Sequence, residues 1–229
     1  MAVTIGPEAG EAAAELYPLP PQFSTGSGRF QLVAKRVLDV LGAGVGLAVL
    51  APVFVAIALA IRIDSRGPIL YAWRVVGRRG RTFTGYKFRT MVPEADELYA
   101  SLRDRNLMTG PVFKMKDDPR ITRVGRFLRR RSLDELPQLW SVLIGDMSLV
   151  GPRPPLRREW EEFAPWQRQK LAVTPGITCL WQVSGRADIT DFAEWARMDI
   201  DYIRQWNLGL DLAILRRTIG AVLSRRGAY

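Results

Sequence analysis

From Asp39 to Arg62 the chain reads DVLGAGVGLAVLAPVFVAIALAIR, and the 22 residues from Val40 to Ile61 carry no charge. A straight helix of that length rises about 33 Å, just enough to cross the hydrocarbon core of a bilayer. Its apolar residues cover every face, which argues against an ordinary core helix of a soluble protein. Pro52 falls near the middle, where it removes a backbone donor and clashes with the preceding turn, so a kink or break is expected there. Lys35 and Arg36 stand before the segment, and Arg62, Arg66, Arg74, Arg78, Arg79 and Arg81 stand after it. Cations on both flanks leave the positive-inside rule no asymmetry to act on. The expected element is therefore a re-entrant helical hairpin that dips into one leaflet and returns, with a kinked transmembrane span as the alternative.

Around this segment the chain has 229 residues, room for one good core plus a membrane element. Residues 1–28 hold Glu8, Glu11 and Glu15, only the loop-like PLPPQFSTGSG after them, and nothing like the basic and apolar regions of a signal peptide; they read as a disordered tail. Residues 29–66 form the membrane element, and 67–229 a small cytosolic domain. In that domain GPILYAWRVVG and TFTGYKFRTM read as strands joined at GRRGR, and PEADELYASLRDRN as a helix started by Pro93. The stretches EWARMDIDYIRQW and DLAILRRTIGAVLSRRG read as amphipathic helices. Their Trp195 and Trp206 suit a head-group boundary, although packing against the body explains them equally well. The fold class is a mixed α/β, mostly helical body with interfacial amphipathic helices.

The formal net charge of +10 points to polyanionic partners: nucleic acid, anionic head groups or phosphorylated small molecules. The absence of histidine removes imidazole bases, Ser/His triads and His-ligated zinc, and the single Cys179 removes an internal disulfide. Acid, base or metal chemistry then falls to carboxylates, Lys, Tyr, Arg or water.

Arg129–Pro154 reads RRRSLDELPQLWSVLIGDMSLVGPRP and concentrates that chemistry. Leu136, Leu139, Trp140 and Leu143 recur at helical spacing, and Pro137 suits a first turn, so Asp134 and Glu135 fall at a helix start where anions are favoured. An ionised aspartate can attack phosphorus, and a neighbouring glutamate can ligate Mg²⁺. Ser132 and Glu135 also spell a capping box, in which Glu135 merely satisfies a backbone donor. Arg129 to Arg131, Arg153 between two prolines, and Arg186 in SGR add planar forks that suit phosphate oxygens.

The series KRVLDV, a proline-interrupted apolar segment, YKFRTM, SLDELPQLW, GDMSLVGPRP, PGIT and WQVSGR resembles the monotopic polyprenyl-phosphate phosphoglycosyl transferases, the bacterial sugar transferases, over Lys35 to about Leu223. The resemblance implies transfer of a hexose 1-phosphate from a nucleotide diphosphate sugar to polyprenyl phosphate, usually undecaprenyl phosphate, at the cytosolic face of the bacterial inner membrane. It implies Asp134 as nucleophile, Glu135 as the Mg²⁺ ligand, Lys87, Arg129, Arg153 and Arg186 around the phosphates, and Pro52 as the membrane break. The chain departs from the family pattern at Ala51, where serine is frequent, at Cys179, where glycine is usual, and at Val75, where an arginine is familiar and Arg74 is the nearest substitute. Nucleic-acid binding lacks any zinc-finger, helix-turn-helix or RNP signature and is foreign to the apolar segment. A silent membrane scaffold does not need the Asp134–Glu135 pair. The sequence assigns neither the sugar nor an oligomeric state.

Overall fold

A computed structural model describes residues 16–185 and 189–224. The apolar segment lies in one helix, α1 (Gly26–Asp64), which continues through Pro52. Thr25 caps its start by accepting from the Gly28 N–H at 3.0 Å. The expected turn-back at Pro52 is not seen as an interruption; a proline costs one hydrogen bond and a local clash, which long apolar flanks can absorb. Only 11% of the most apolar window of α1 is buried, and Val45, Val49, Val55 and Leu59 are exposed, so this is not the core helix of a soluble protein.

One narrow face of α1 does pack. Ala43 meets Val142 and Met147, while Gly42 and Gly46 lie against Leu149 and Leu139. Further along, Phe54, Ile57 and Ile61 pack on Phe88 and Leu128. Polar pins stand at both ends. Lys35 pairs with Asp211 at 2.7 Å, and Asp39 accepts from Ser148 Oγ and the Leu149 N–H at 3.0 and 2.9 Å. At the far end Asp64 accepts from the Val124 N–H at 3.1 Å, and Arg89 donates to the Arg66 and Ser65 carbonyls.

After α1 come β1 (Leu70–Val76) and β2 (Thr82–Phe88), an antiparallel pair as expected, joined by a turn at Arg78–Gly80. PEADELYASLRDRN is not one helix but three short turns, Pro93–Asp96, Tyr99–Leu102 and Arg103–Arg105. Side chains claim backbone acceptors there: Ser101 Oγ donates to the Leu98 carbonyl and Arg120 to that of Ala95. The helices α2 (Arg123–Arg130) and α3 (Gln138–Ile144) lead to β3 (Ser148–Val150). Then follow α4 (Arg157–Glu161), β4 (Gly176–Thr178), which pairs parallel with β3, and the terminal α5 (Phe192–Gln205) and α6 (Leu208–Ser224).

Trp195 and Trp206 are each 5% exposed, so neither sits at a head-group boundary. Trp195 stacks on Trp181 with ring centroids 3.8 Å apart and Trp206 on Phe23 at 4.9 Å, because the helical turn Leu180–Val183 and the chain before α1 provide flat partners. The apolar side chains left exposed on the body are others, among them Phe127, Trp140, Ile144, Leu212 and Ile219.

The expected tail also changes. Residues 1–15 lie outside the described residues, whereas Leu16, Tyr17, Leu19 and Phe23 pack on the body. Tyr17 is buried with Val76 and Leu171, and Gln22 donates to the Ile203 and Arg204 carbonyls at 3.2 and 2.7 Å. Leu16, Tyr17, Leu19 and Phe23 bring enough apolar surface to order a segment that its prolines and serines alone mark as loop.

Candidate active site

Asp134 and Glu135 lie in a single 3₁₀ turn, Leu133–Glu135, immediately before α3, whose N-cap is Pro137. The turn is entered through Ser132 in the left-handed region at φ 53°, and no side-chain cap bond is made there. Glu135 therefore does not act as the back half of a capping box. Its side chain points into the body instead, where Oε1 accepts from Lys87 Nζ at 2.7 Å and lies 3.6 Å from Arg153 Nη1. Glu135 is 8% exposed, whereas its neighbour Asp134 is half-buried. One carboxylate is thus locked between two cations while the other stands nearer the surface.

Lys87 comes from β2, where alternation turns it toward the dyad. Burial pushes its ammonium below the usual lysine range, with Glu135 opposing that shift. Arg153 comes from the loop after β3. Burial would lower its guanidinium, but Glu135, Glu159 and Asp134 outweigh that and hold it above the ordinary value. Pro152 and Pro154 are buried on either side, and the Pro155 carbonyl accepts from the Val76 N–H at 3.0 Å, so the loop is tied to β1. Its glycine has a physical reason too. Gly151 and Gly176 cross backbone to backbone, with the Gly151 N–H donating to the Thr178 carbonyl and the Gly176 N–H to that of Pro152, both at 3.0 Å. A Cβ on Gly176 would come within 2.1 Å of Gly151 N, so GPRP and PGIT are two halves of one crossing.

Arg129 ends α2 and donates through Nε to Thr90 Oγ1 at 2.9 Å; burial lowers its guanidinium, with Asp134 the largest opposing charge. Four expected site residues, Asp134, Glu135, Lys87 and Arg153, thus converge, and Arg129 borders them within the electrostatic reach of Asp134. Arg186 lies outside the described residues, so its expected place is not described. Pro52 sits on α1, two residues before Phe54, which packs in the same cluster as Leu133 and Leu136 on either side of the dyad. Of the departures, Val75 is fully buried and bridges Leu156. Arg74 is exposed on the opposite face of β1, so strand alternation prevents it from standing in for a cation at position 75. Cys179 is buried, and burial followed by the Asp199 carboxylate pushes its thiol far up, which makes it inert core.

Three neighbours have no counterpart in the sequence reading. Trp73 lies beneath Lys87, Glu159 adds a carboxylate near Arg153, and Asp118 forms a buried fork with Arg120 at 2.6 Å behind Arg129. Only the DDPR string hinted at the last, through its tight acid-to-base spacing. Among the described residues no cluster of three or more Asp, Glu or Cys is gathered for a metal. The dyad offers two adjacent carboxylates, the donor type Mg²⁺ takes once or twice with phosphate oxygens and water completing its shell, and in this structure the Glu135 oxygen is held by Lys87 and Arg153.

Paired carboxylates and cations thus lie on a body that carries a helix long and apolar enough to cross a membrane. The family described as bacterial sugar transferase matches residues 30–225, and the chain belongs to it. It is 47% identical over 197 residues to the galactosyl transferase CpsE of Streptococcus agalactiae serotype III (strain NEM316), covering 86% of this chain and 44% of that protein. To the UDP-glucose:undecaprenyl-phosphate glucose-1-phosphate transferase of Caulobacter vibrioides (strain ATCC 19089 / CIP 103742 / CB 15) it is 40% identical over 202 residues, 85% of this chain and 72% of that protein. To the exopolysaccharide production protein ExoY of Rhizobium meliloti (strain 1021) it is 39% identical over 201 residues, 86% of this chain and 88% of that one. The chain spans less than half the length of CpsE and a larger share of the other two.

Proposed function

We propose that this chain transfers a hexose 1-phosphate from a UDP-sugar to undecaprenyl phosphate, at the cytosolic face of the bacterial inner membrane, as a starting step of exopolysaccharide, capsule or O-antigen synthesis. The observation that carries the reading is the division of the dyad by burial: Glu135 is buried against Lys87, whereas Asp134 is half-buried and so the more accessible carboxylate for an incoming diphosphate.

In the first step an Asp134 carboxylate oxygen attacks the β-phosphorus, the bond from that phosphorus to the bridging oxygen breaks, and UMP leaves with the electron pair. In the second a phosphate oxygen of the lipid attacks the same phosphorus, the acyl phosphate bond breaks, and Asp134 is returned as carboxylate. Lys87, Arg153 and Arg129 supply positive charge to the phosphoryl oxygens in both steps, at positions preset by Thr90 and by the GPRP crossing. Mg²⁺ held by Glu135 would neutralise charge on the diphosphate.

From the grip on α1 we infer a re-entrant membrane element, which requires the helix, unbroken at Pro52 in this structure, to bend there within the bilayer. The same body is pinned near Lys35 and Asp39 and again near Ile61 and Asp64. A straight helix covers about 38 Å between Asp39 and Asp64, more than the roughly 30 Å hydrocarbon core. A true span would place the two grips on opposite sides of the membrane; an element that stays in one leaflet keeps both on one side. The exposed Phe127, Trp140 and Ile144 suit contact with the same interface.

The test is UMP release from UDP-galactose, UDP-glucose and N-acetylated UDP-hexoses by detergent-purified protein with undecaprenyl phosphate and Mg²⁺. At least one sugar should release UMP, and Asp134→Asn should lower the rate by about a thousandfold or more. A wild-type rate in Asp134→Asn, or no UMP from any sugar, refutes the mechanism.

A further inference from the structure

Trp73 is 7% exposed, and its indole face carries the Lys87 ammonium at 4.3 Å from the ring centroid. Two features show that the ring is placed for its face. Its cross-strand partner is Gly85, where a Cβ would come within 2.6 Å of the indole Nε1, so the missing side chain is what lets the ring lie across β2. Nε1 itself is buried without a hydrogen-bond partner among the described residues, so no hydrogen bond from the indole sets its orientation. Lys87 is therefore held from two sides, by a carboxylate at 2.7 Å and by a π face.

We propose that Trp73 is a positioning residue that keeps the Lys87 ammonium in the site when the Glu135 carboxylate is drawn to a divalent cation. This rests on the roles given above to Lys87 and Glu135. A lysine on a flexible four-carbon stem, deprived of its ion-paired carboxylate, is freer to turn toward water. An aromatic face attracts the ammonium without competing for the metal, so Lys87 stays where a diphosphate can use it.

The experiment measures UDP affinity calorimetrically on the full chain in detergent, with Mg²⁺ and again with EDTA, and records thermal unfolding of each variant. Trp73→Leu should weaken UDP binding about tenfold in Mg²⁺. It should weaken binding less in EDTA, where Glu135 still holds Lys87, and Trp73→Phe should recover part of the loss. In a Lys87→Met background Trp73→Leu should cost nothing further. An equal loss in that background, or unchanged affinity in Trp73→Phe and a folded Trp73→Leu, overturns the assignment. If Trp73→Leu does not fold, Trp73→Phe in the two backgrounds decides by the same comparison. Unchanged UDP affinity in Lys87→Met alone overturns the phosphate role of Lys87, and the role of Trp73 with it.

Discussion

Replacing Glu135 by glutamine keeps the shape of the side chain and removes its charge from between Lys87 at 2.7 Å and Arg153 at 3.6 Å. The Lys87 and Glu135 side chains are 14% and 11% exposed, so water screens the pair weakly. Stripping one partner from a buried pair costs about 3–5 kcal/mol. The amide oxygen still accepts from Lys87, and the more open Arg153 side chain, 34% exposed, can turn toward solvent, which brings the expected loss to about 2 kcal/mol. For a chain of this size that is a fall of about 4–8 °C in Tm, compared at one scan rate because membrane proteins commonly unfold irreversibly. Glu135→Gln should also raise the Mg²⁺ concentration needed for half-maximal UMP release. Lys87→Met combined with Glu135→Gln should cost less than the sum of the two, since no buried charge is then left facing its former partner. Additive losses in the double variant, or a Glu135→Gln protein with wild-type Tm and Mg²⁺ dependence, refute the reasoning.

Burial alone would raise the Asp118 carboxyl, but the Arg120 fork and backbone hold it below its ordinary value near 3.8. A carboxylate depressed by folding stabilises the fold fully above that ordinary value, and the gain is lost as pH falls through the folded value. Asp118→Asn should therefore be less stable than wild type at neutral pH and close the gap on acidification below that range, as read by unfolding at stepped pH. Lys170 and Asp199 form a pair at 2.6 Å with side chains 3% and 1% exposed; Lys170→Met should cost about 3–5 kcal/mol in unfolding free energy, and adding Asp199→Asn should recover part of it. Gly176→Ala drives a Cβ to 2.1 Å from backbone and should abolish folded protein, whereas Gly44→Ala, with nothing within 4 Å, should express and melt as wild type.

What the sequence made legible was local and periodic. The stretch TFTGYKFRTM marked β2, with Lys87 entering only through the family resemblance, and the unbroken apolar run set α1. The two carboxylates stood out because they are adjacent, yet their division depends on contacts 48 and 18 positions away in the chain, at Lys87 and Arg153, which no local spacing encodes. The placement of Trp195 and Trp206 stayed open between a head-group boundary and the body for a related reason. Helical periodicity shows that a face is apolar but does not say whether lipid or another ring covers it, and here Trp181 and Phe23 do. Trp73 was invisible because its meaning lies in the empty space at its cross-strand partner, Gly85.

The basic motifs, read as a reservoir of phosphate-binding charge, divide into two groups once their partners are known. In KRVLDV, Lys35 is spent on Asp211, and Arg36 donates to the Val142 and Leu143 carbonyls at 2.6 and 2.8 Å. Those carbonyls close the C-terminal end of α3, where a cation is electrostatically favoured. In YKFRTM, Lys87 grips Glu135 at the other end of α3, while Arg89, two residues on, holds the carbonyls that follow α1. The element that carries the dyad is thereby tied to α1 at both of its ends, at one through Arg36 and at the other through the Lys87–Phe88–Arg89 run. These bonds join α1, the dyad turn and α3 in one framework. Arg36 and Arg89 are thus spent on backbone carbonyls, in the same motifs as the Lys87 that pairs with Glu135.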